Sequence, residues 1–140
     1  MKVAICHDYL NQLGGAERVL KVFLRLFPDA DLYTLLYDKE KTRGEFEGRV
    51  IKTSLLNHKF VAKHHRLFIP LFPLAASTIY KSRKPIYYDL VISSSAGYAK
   101  GFNVKGKYHI CYCHTPLRYA WEPKYINSLT FVPTIIKLLV

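Results

Sequence analysis

The sequence has few acidic residues, few cysteines and no long uninterrupted hydrophobic segment. Only 10 Asp and Glu side chains oppose 21 Lys and Arg among its 140 residues, so the formal net charge is +11. A positive charge of this size favours anionic partners such as nucleic acid, an anionic membrane surface or phosphorylated substrates. No RNP, helix-turn-helix or KH pattern is found in the sequence, which argues against nucleic acid.

Cysteine content and hydrophobicity restrict the class of protein further. The 3 cysteines are an odd number in apolar, strand-like segments, which predicts reduced, buried thiols in a cytoplasmic protein. The longest apolar stretch, Leu67 to Ile79, contains prolines and is too short to span about 30 Å of hydrocarbon. The apolar run within Met1–Asp8 is too short for a signal peptide. We expect a single domain, residues 1–140, in the cytoplasm or peripheral on the inner face of the membrane.

Short apolar runs alternate with a helical pattern along the chain. Continuous apolar runs of this kind are typical of strands that are covered on both faces. In residues 16–27 the apolar side chains recur at helical spacing, with Glu17 among the residues of the opposite, polar face. We further expect two helices around a proline-broken turn in residues 55–84, and an apolar helix at residues 134–140, the end of the tail that starts at Asn127. The predicted strands are Val3–Cys6, Asp31–Leu36, Arg49–Lys52, Asp89–Ile92 and Tyr108–Cys113.

This succession predicts an α/β fold: a Rossmann-like, doubly wound, mainly parallel sheet with helices on both faces. In such sheets ligands bind beyond the carboxyl ends of the strands. Three segments follow predicted strands there, namely residues 8–15, 93–97 and 114–118. We therefore look for the functional residues in these segments.

The pair Gly14 and Gly15 directly precedes the first helix. A loop without Cβ atoms can approach a phosphate closely, and a helix N-terminus offers free N–H groups with partial positive charge. The pair matches neither the dinucleotide fingerprint nor the P-loop. An ordinary tight turn is the alternative interpretation.

His114 ends a hydrophobic strand and so is expected to project into the ligand crevice. There it could donate a hydrogen bond, act as a general base or polarise a hydroxyl; a histidine bonded to backbone is the alternative. Ser94 and Ser95 could offer hydroxyls to a sugar or phosphate, although serine clusters are commonly plain loop or helix cap. His7 and Asp8 end the first predicted strand and either could reach the same crevice, where Asp8 is a possible base. We predict no metal site, because strand alternation places Cys111 and Cys113 opposite His114.

Basic and aromatic residues are mixed in the segment from 58 to 84. This composition suits the headgroup boundary of an anionic bilayer, where each cation is worth on the order of 1 kcal/mol. The alternative is that the apolar residues belong to the core and the cations to a solvated face. The residues predicted to form a membrane patch are Lys59, Lys63, Arg66, Phe68 and Phe72.

Three segments carry a resemblance to a known family. Residues 1–18 (MKVAICHDYLNQLGGAER), 89–101 (DLVISSSAGYAKG) and 112–122 (YCHTPLRYAWE) resemble the N-terminal half of the family 4 (group 1) retaining glycosyltransferases of the GT-B fold. They are most similar to mannosyltransferase-like bacterial members that build cell-surface polysaccharides. The segments occur in the family's order and extend over most of the chain.

The resemblance implies a role for each segment. In this family the N-terminal domain mainly binds the acceptor, here a polyprenyl-diphosphate glycan or another saccharide. Gly14 and Gly15 would approach the diphosphate of the donor, GDP-mannose or another NDP-hexose. His114 would contact the transferred sugar and assist the transition state, and Arg118 lies in the same motif on the donor side. The strand-end residues assigned to the acceptor are Asp8, Tyr9, Ser94 and Ser95. No metal or other cofactor is expected.

The chain departs from the family in length. Members are about twice as long or more, and their C-terminal nucleotide-sugar domain has no counterpart in this sequence. We therefore expect an incomplete enzyme that is inactive alone. The alternative hypothesis is a non-catalytic, basic and aromatic module that binds an anionic membrane or a partner protein.

Overall fold

The computed structural model describes residues 1–79 and 86–115. Within them, five strands pair in parallel in the order β3-β2-β1-β4-β5. The prediction of an α/β, Rossmann-like parallel sheet is confirmed. The strands are β1 (Val3–Leu10), β2 (Asp31–Tyr37), β3 (Val50–Thr53), β4 (Tyr87–Ser95) and β5 (Lys105–Cys113).

Helices pack on both faces of the sheet. They are α1 (Gly15–Leu26), α2 (Lys59–Lys63) and α3 (Phe72–Thr78), with 3₁₀ turns at His65–Leu71 and Ala99–Gly101. On one face, Leu20 and Leu24 of α1 pack with Ile5. On the other, Phe72 and Ala76 of α3 pack with sheet residues such as Tyr33, Tyr88 and Val91. Pro70 lies inside the first 3₁₀ turn, where its missing N–H disfavours a continuous α-helix.

Two sequence expectations about burial are wrong. Glu17 is 3% exposed although its helix pattern assigned it to the polar face. Cys6 is buried as expected, but Cys111 and Cys113 are exposed. In the described part of the chain β5 is an edge strand, and most of its side chains are exposed on both faces.

The strand order places a topological switch point between β1 and β4. From β1 the chain continues to β2 on one side, and after β3 it crosses back to β4 on the other side. Ligands of doubly wound sheets bind at such a point, outside the carboxyl ends of the strands. The helix predicted for residues 134–140 lies outside the described residues. Among helices that are described, none is long and apolar enough to cross a membrane.

Candidate functional site

Polar side chains from three strands meet at the carboxyl edge of the sheet. His7 of β1 and Ser94 of β4 are register partners, and the His7 Nδ1 lies 3.1 Å from the Ser94 Oγ. The same Oγ lies 2.8 Å from the Nε2 of His114, which follows β5. His7 and Ser94 are buried, whereas His114 is half-buried. The expected convergence of these strand ends is thus present.

Glu17 connects this cluster to the glycine turn. Its Oε2 accepts a 2.7 Å hydrogen bond from the Gly14 N–H, as in the second half of a capping box. Its Oε1 lies 3.7 Å from His7 Nε2. Burial alone would raise the pKa of Glu17, but the nearby His7 imidazole and the backbone N–H groups of Glu17 and Gly14 hold the pKa below its ordinary value. Glu17 is therefore a buried carboxylate at neutral pH.

The two glycines have different surroundings. A Cβ at Gly14 would lie 3.0 Å from the Glu17 carboxylate, so this glycine allows the carboxylate to cap α1. A Cβ at Gly15 would meet no described atom within 4 Å, and Gly15 is exposed at the first turn of the helix. Since the first N–H groups of a helix have no intrahelical partner, a ligand can approach α1 at Gly15.

Asp8 has its carboxylate engaged within the chain. It accepts hydrogen bonds of 2.6 to 3.1 Å from the Ser95 hydroxyl and from the backbone N–H groups of residues 96–99. Such charge-assisted bonds are strong, and here they hold the loop that follows β4. Both carboxylate oxygens of Asp8 therefore already have partners within the chain. The assignment of Asp8 to acceptor binding stays a prediction.

The other predicted acceptor residues are also placed. Ser94 and Ser95 are fully buried, and each hydroxyl is hydrogen-bonded to residues of β1 or to His114. Tyr9 packs against the core cluster that contains Phe72, with 5.2 Å between the two ring centroids. Their contact with a ligand stays a prediction. Arg118 lies outside the described residues.

His114 is held by its ring and its backbone. Its N–H donates to the Ser95 carbonyl over 3.0 Å, and its ring lies edge-on to the Tyr112 ring at 5.1 Å between centroids. Burial lowers its pKa, the nearby His7 lowers it further, and Asp8 and Glu17 oppose the shift. A neutral imidazole is favoured, which can accept or donate a hydrogen bond.

Comparisons with protein-family models, curated proteins and solved structures found no match to this chain.

The predicted membrane patch needs a correction. Phe72 is fully buried and Phe68 is partly buried against the same core cluster, so Phe72 cannot face a bilayer. The structure does not describe the side chain of Arg66. Lys59 and Lys63 are exposed, and Lys59 lies 3.3 Å from Glu40. The apolar side chains exposed beside them are Phe60, Leu67, Leu71 and Leu74. We name these four and the two lysines the basic apolar surface.

Sequence reasoning missed the role of Glu17 and left that of His7 open. A signal for Glu17 was available, because it stands at the third helical position after an N-terminal cap, where carboxylates reach back to the cap N–H. No sequence signal pairs His7 with Ser94, since that contact depends on the strand register. Among the described His, Cys, Asp and Glu residues, no group of three is arranged to hold a metal ion.

Proposed function

We propose that this chain is the N-terminal, acceptor-binding half of a retaining, sugar-nucleotide-dependent glycosyltransferase of the GT-B fold. It would serve hexosyl or mannosyl transfer to a lipid-linked or saccharide acceptor in cell-surface polysaccharide synthesis. The resemblance of residues 1–18, 89–101 and 112–122 supports the proposal. The observation that carries it is that these distant segments meet at one sheet edge, through the contacts of His7 with Ser94 and of Ser94 with His114.

His114 is the residue proposed to assist transfer. Its Nε2 is bound to Ser94, and among the described residues its Nδ1 has no hydrogen-bond partner. The lowered pKa favours the neutral ring at physiological pH. A neutral imidazole at the crevice can bind a sugar hydroxyl without repelling a cationic transition state.

The start of α1 is proposed to face the donor diphosphate. Glu17 already uses the N–H groups of Gly14 and of its own residue, and the Arg18 N–H donates to the Gly14 carbonyl, which leaves the N–H groups of Gly15 and Ala16 for an anion. The open space at Gly15 supports such an approach. In this proposal helix N-termini and protein cations stabilise the diphosphate, so the reaction needs no metal ion.

Membrane docking is part of the same proposal. The basic apolar surface combines exposed leucines and a phenylalanine with lysines, in a chain of net charge +11. Lipid-linked acceptors are presented at the membrane, and a surface of this composition suits its anionic cytoplasmic face. The proposed location is therefore the cytoplasm, peripheral on the inner face of the membrane.

The central test is sugar transfer by the full-length gene product that contains this chain. Membrane lipid extract and saccharides serve as acceptors, with radiolabelled GDP-mannose and other NDP-hexoses as donors. We expect His114→Ala to reduce transfer about 100-fold or more, the range of a lost acid–base or polarising group. The matched control is His109→Ala, a histidine of β5 that contacts Ser93 at 2.6 Å instead. Absence of transfer from every donor, or equal losses in both variants, would contradict the proposal.

The second candidate function is a non-catalytic module that binds an anionic membrane, and the exposed apolar side chains of residues 60–74 favour it. Both candidates predict sedimentation with phosphatidylglycerol vesicles but not with phosphatidylcholine vesicles. The double change Lys59→Glu and Lys63→Glu should weaken binding roughly tenfold or more. Lys105→Glu with Lys107→Glu makes the same charge change on β5 and should have less effect. Vesicle binding without any sugar transfer would favour the module.

A further inference from the structure

Four side chains form a continuous chain of polar contacts at the candidate site. Ser94 Oγ lies between the His114 Nε2 at 2.8 Å and the His7 Nδ1 at 3.1 Å. The other nitrogen of His7, Nε2, lies 3.7 Å from Glu17 Oε1. Ser94 is 0%, His7 2% and Glu17 3% exposed, so water does not compete for these contacts. Only His114 extends from this buried chain toward solvent.

The carboxylate of Glu17 sets the direction of the hydrogen bonds. Its negative charge favours a proton on the facing His7 Nε2, which leaves a lone pair on Nδ1 of neutral His7. The Ser94 hydroxyl then donates to His7 Nδ1. Its oxygen accepts from an N–H at the His114 Nε2. Neutral His114 therefore carries its proton on Nε2 and presents a lone pair at Nδ1.

We propose that His114, Ser94 and His7 form a proton relay that carries a proton from the crevice to a buried site beside Glu17. The proton arrives at His114 Nδ1, and the Nε2 proton passes to Ser94 Oγ. The original hydroxyl proton of Ser94 passes to His7 Nδ1. Three N–H or O–H bonds form and two break, so the single added proton is conserved. The inference rests on the proposed function for the purpose of this proton, but not for its path.

The charges around the relay favour this end state. Positive charge on His7 is attracted by Glu17 in surroundings where Coulomb interactions are stronger than in water. Positive charge on His114 is disfavoured by burial and by His7. The other groups near the relay are Asp8 of β1, whose carboxylate is bonded to residues 95–99, and the Tyr112 ring of β5. After transfer, His114 is neutral again but now donates from Nδ1.

His114 is thus a switchable partner for a hydroxyl ligand. Before proton uptake its Nδ1 accepts a hydrogen bond, and afterwards the same nitrogen donates one. This change requires no imidazolium at His114 and no movement of its ring. Ser94, His7 and Glu17 are positioning residues, because they act on a ligand only through His114.

Nuclear magnetic resonance of the 140-residue chain, labelled with ¹⁵N in histidine, tests the relay without substrate. At alkaline pH we expect His114 to be protonated on Nε2 and unprotonated on Nδ1. On acidification, we expect one joint step in which the added proton passes to His7 and the His114 proton moves from Nε2 to Nδ1. A neutral His114 that carries its proton on Nδ1 at alkaline pH would overturn the proposal, whatever the variants show.

Ser94→Ala removes the connecting hydroxyl. The joint step should then be lost, because the hydroxyl that connects His7 with His114 is absent. The matched control is Ser93→Ala, an equally buried neighbour in β4 whose hydroxyl contacts His109; it should retain the joint step. A joint step that persists in Ser94→Ala contradicts the relay. Should that variant not fold, Glu17→Gln provides the second test, and we expect it to shift the joint step to lower pH.

These measurements separate the relay from the proposed function. The ring-nitrogen spectra are recorded in the absence of donor and acceptor, so they do not depend on sugar transfer. If the spectra are as expected but the full-length assay shows no transfer, the relay is supported and the proposed glycosyltransferase function is contradicted. If transfer requires His114 but the spectra show no joint step, the glycosyltransferase function is supported and the relay is contradicted.

Discussion

Strands β1 and β5 flank β4 on its two sides, and the same sequence signal predicts both. Each is a short run of apolar residues with cysteine and histidine among them. Yet nearly all of β1 is buried, whereas nearly all of β5 is exposed. Ile5, Ile92 and Ile110 are register partners across the three strands, with exposures of 0%, 5% and 57%. At one level of the sheet, burial therefore depends on the neighbours of a strand and not on its composition.

The polar ends of the two strands differ in the same way. At the end of β1, His7 and Asp8 are buried and bonded to residues far away in sequence. At the end of β5, His114 is half-buried, with one ring nitrogen bonded to Ser94. This difference suits a site in which a fixed interior supports one accessible side chain. Rigid support of a functional group keeps its geometry productive.

The largest expected effect comes from the isoleucine pair. Ile5→Ala should lower the free energy of unfolding by about 4 kcal/mol, because it leaves a cavity in the core. Ile110→Ala should lower it by less than about 1 kcal/mol, since most of this side chain already contacts solvent. Urea unfolding at constant m-value measures both. Equal losses would mean that β5 is covered as well as β1.

Asp8→Ala should have the next largest effect. We expect it to lower the free energy of unfolding by about 3 kcal/mol, because backbone N–H groups of residues 96–99 lose a charged acceptor. Asp8→Asn keeps one acceptor oxygen and should lose less. The comparison at the end of β5 is His114→Ala, which we expect to cost about 1 kcal/mol or less, because its backbone bond to Ser95 remains. Urea unfolding of the three variants decides, and a larger loss in His114→Ala would reverse the assignment of rigid and accessible ends.

Glu17→Gln should have a smaller, pH-dependent effect of about 1.5 kcal/mol at neutral pH. The pKa of Glu17 is lower in the folded chain than in the unfolded chain, where it is about 4.3. Its contribution to stability is therefore fully present above that value and is lost as the pH falls through the folded pKa. Unfolding measured from neutral to acidic pH should show the difference between wild type and Glu17→Gln shrink in that window. A difference independent of pH would contradict the role of the charge.

The contribution of His114, at the end of β5, to the free energy of unfolding should change at higher pH than that of Glu17. The pKa of His114 is lowered by folding, so the neutral ring stabilises the fold above its ordinary value of about 6.5. That contribution is lost as the pH falls from there through the folded pKa, and His114→Gln should remove this part of the profile. Glu17 and His114 thus lose their contributions to stability in separate pH ranges, which the same pH series resolves.

The sequence could predict the sheet because apolar runs and one amphipathic helix are local patterns. All five predicted strands are present: β1, β4 and β5 are longer than predicted, β2 gains one residue, and β3 is shifted by one residue. The burial of each strand was harder to predict from the sequence, because it depends on what packs over the strand. Cys111 and Cys113 have apolar neighbours in sequence just as Cys6 has, and the difference comes from the position of β5 at the edge of the sheet that the described residues form.

The candidate site could be predicted only in part for a related reason. Parallel strands end at one edge, so the approach of His7, Ser94 and His114 follows from the topology. The hydrogen bond between His7 and Ser94 needs the exact register of two strands that are distant in the chain, and local patterns carry no information on it. The burial of Glu17 required recognition that a carboxylate can cap its own helix.

The last test uses the cysteines and needs no substitution. Burial raises the pKa of the Cys6 thiol, and both burial and the scarcity of thiolate protect it from a thiol reagent. Cys111 and Cys113 are exposed and should react in the native state. Mass spectrometry should therefore find two labels in the native protein. The third label, on Cys6, should appear only in urea, at a rate set by the opening of β1. Rapid labelling of Cys6 in native protein would show that β1 is no better protected than β5, and the contrast between the two strands would then fail.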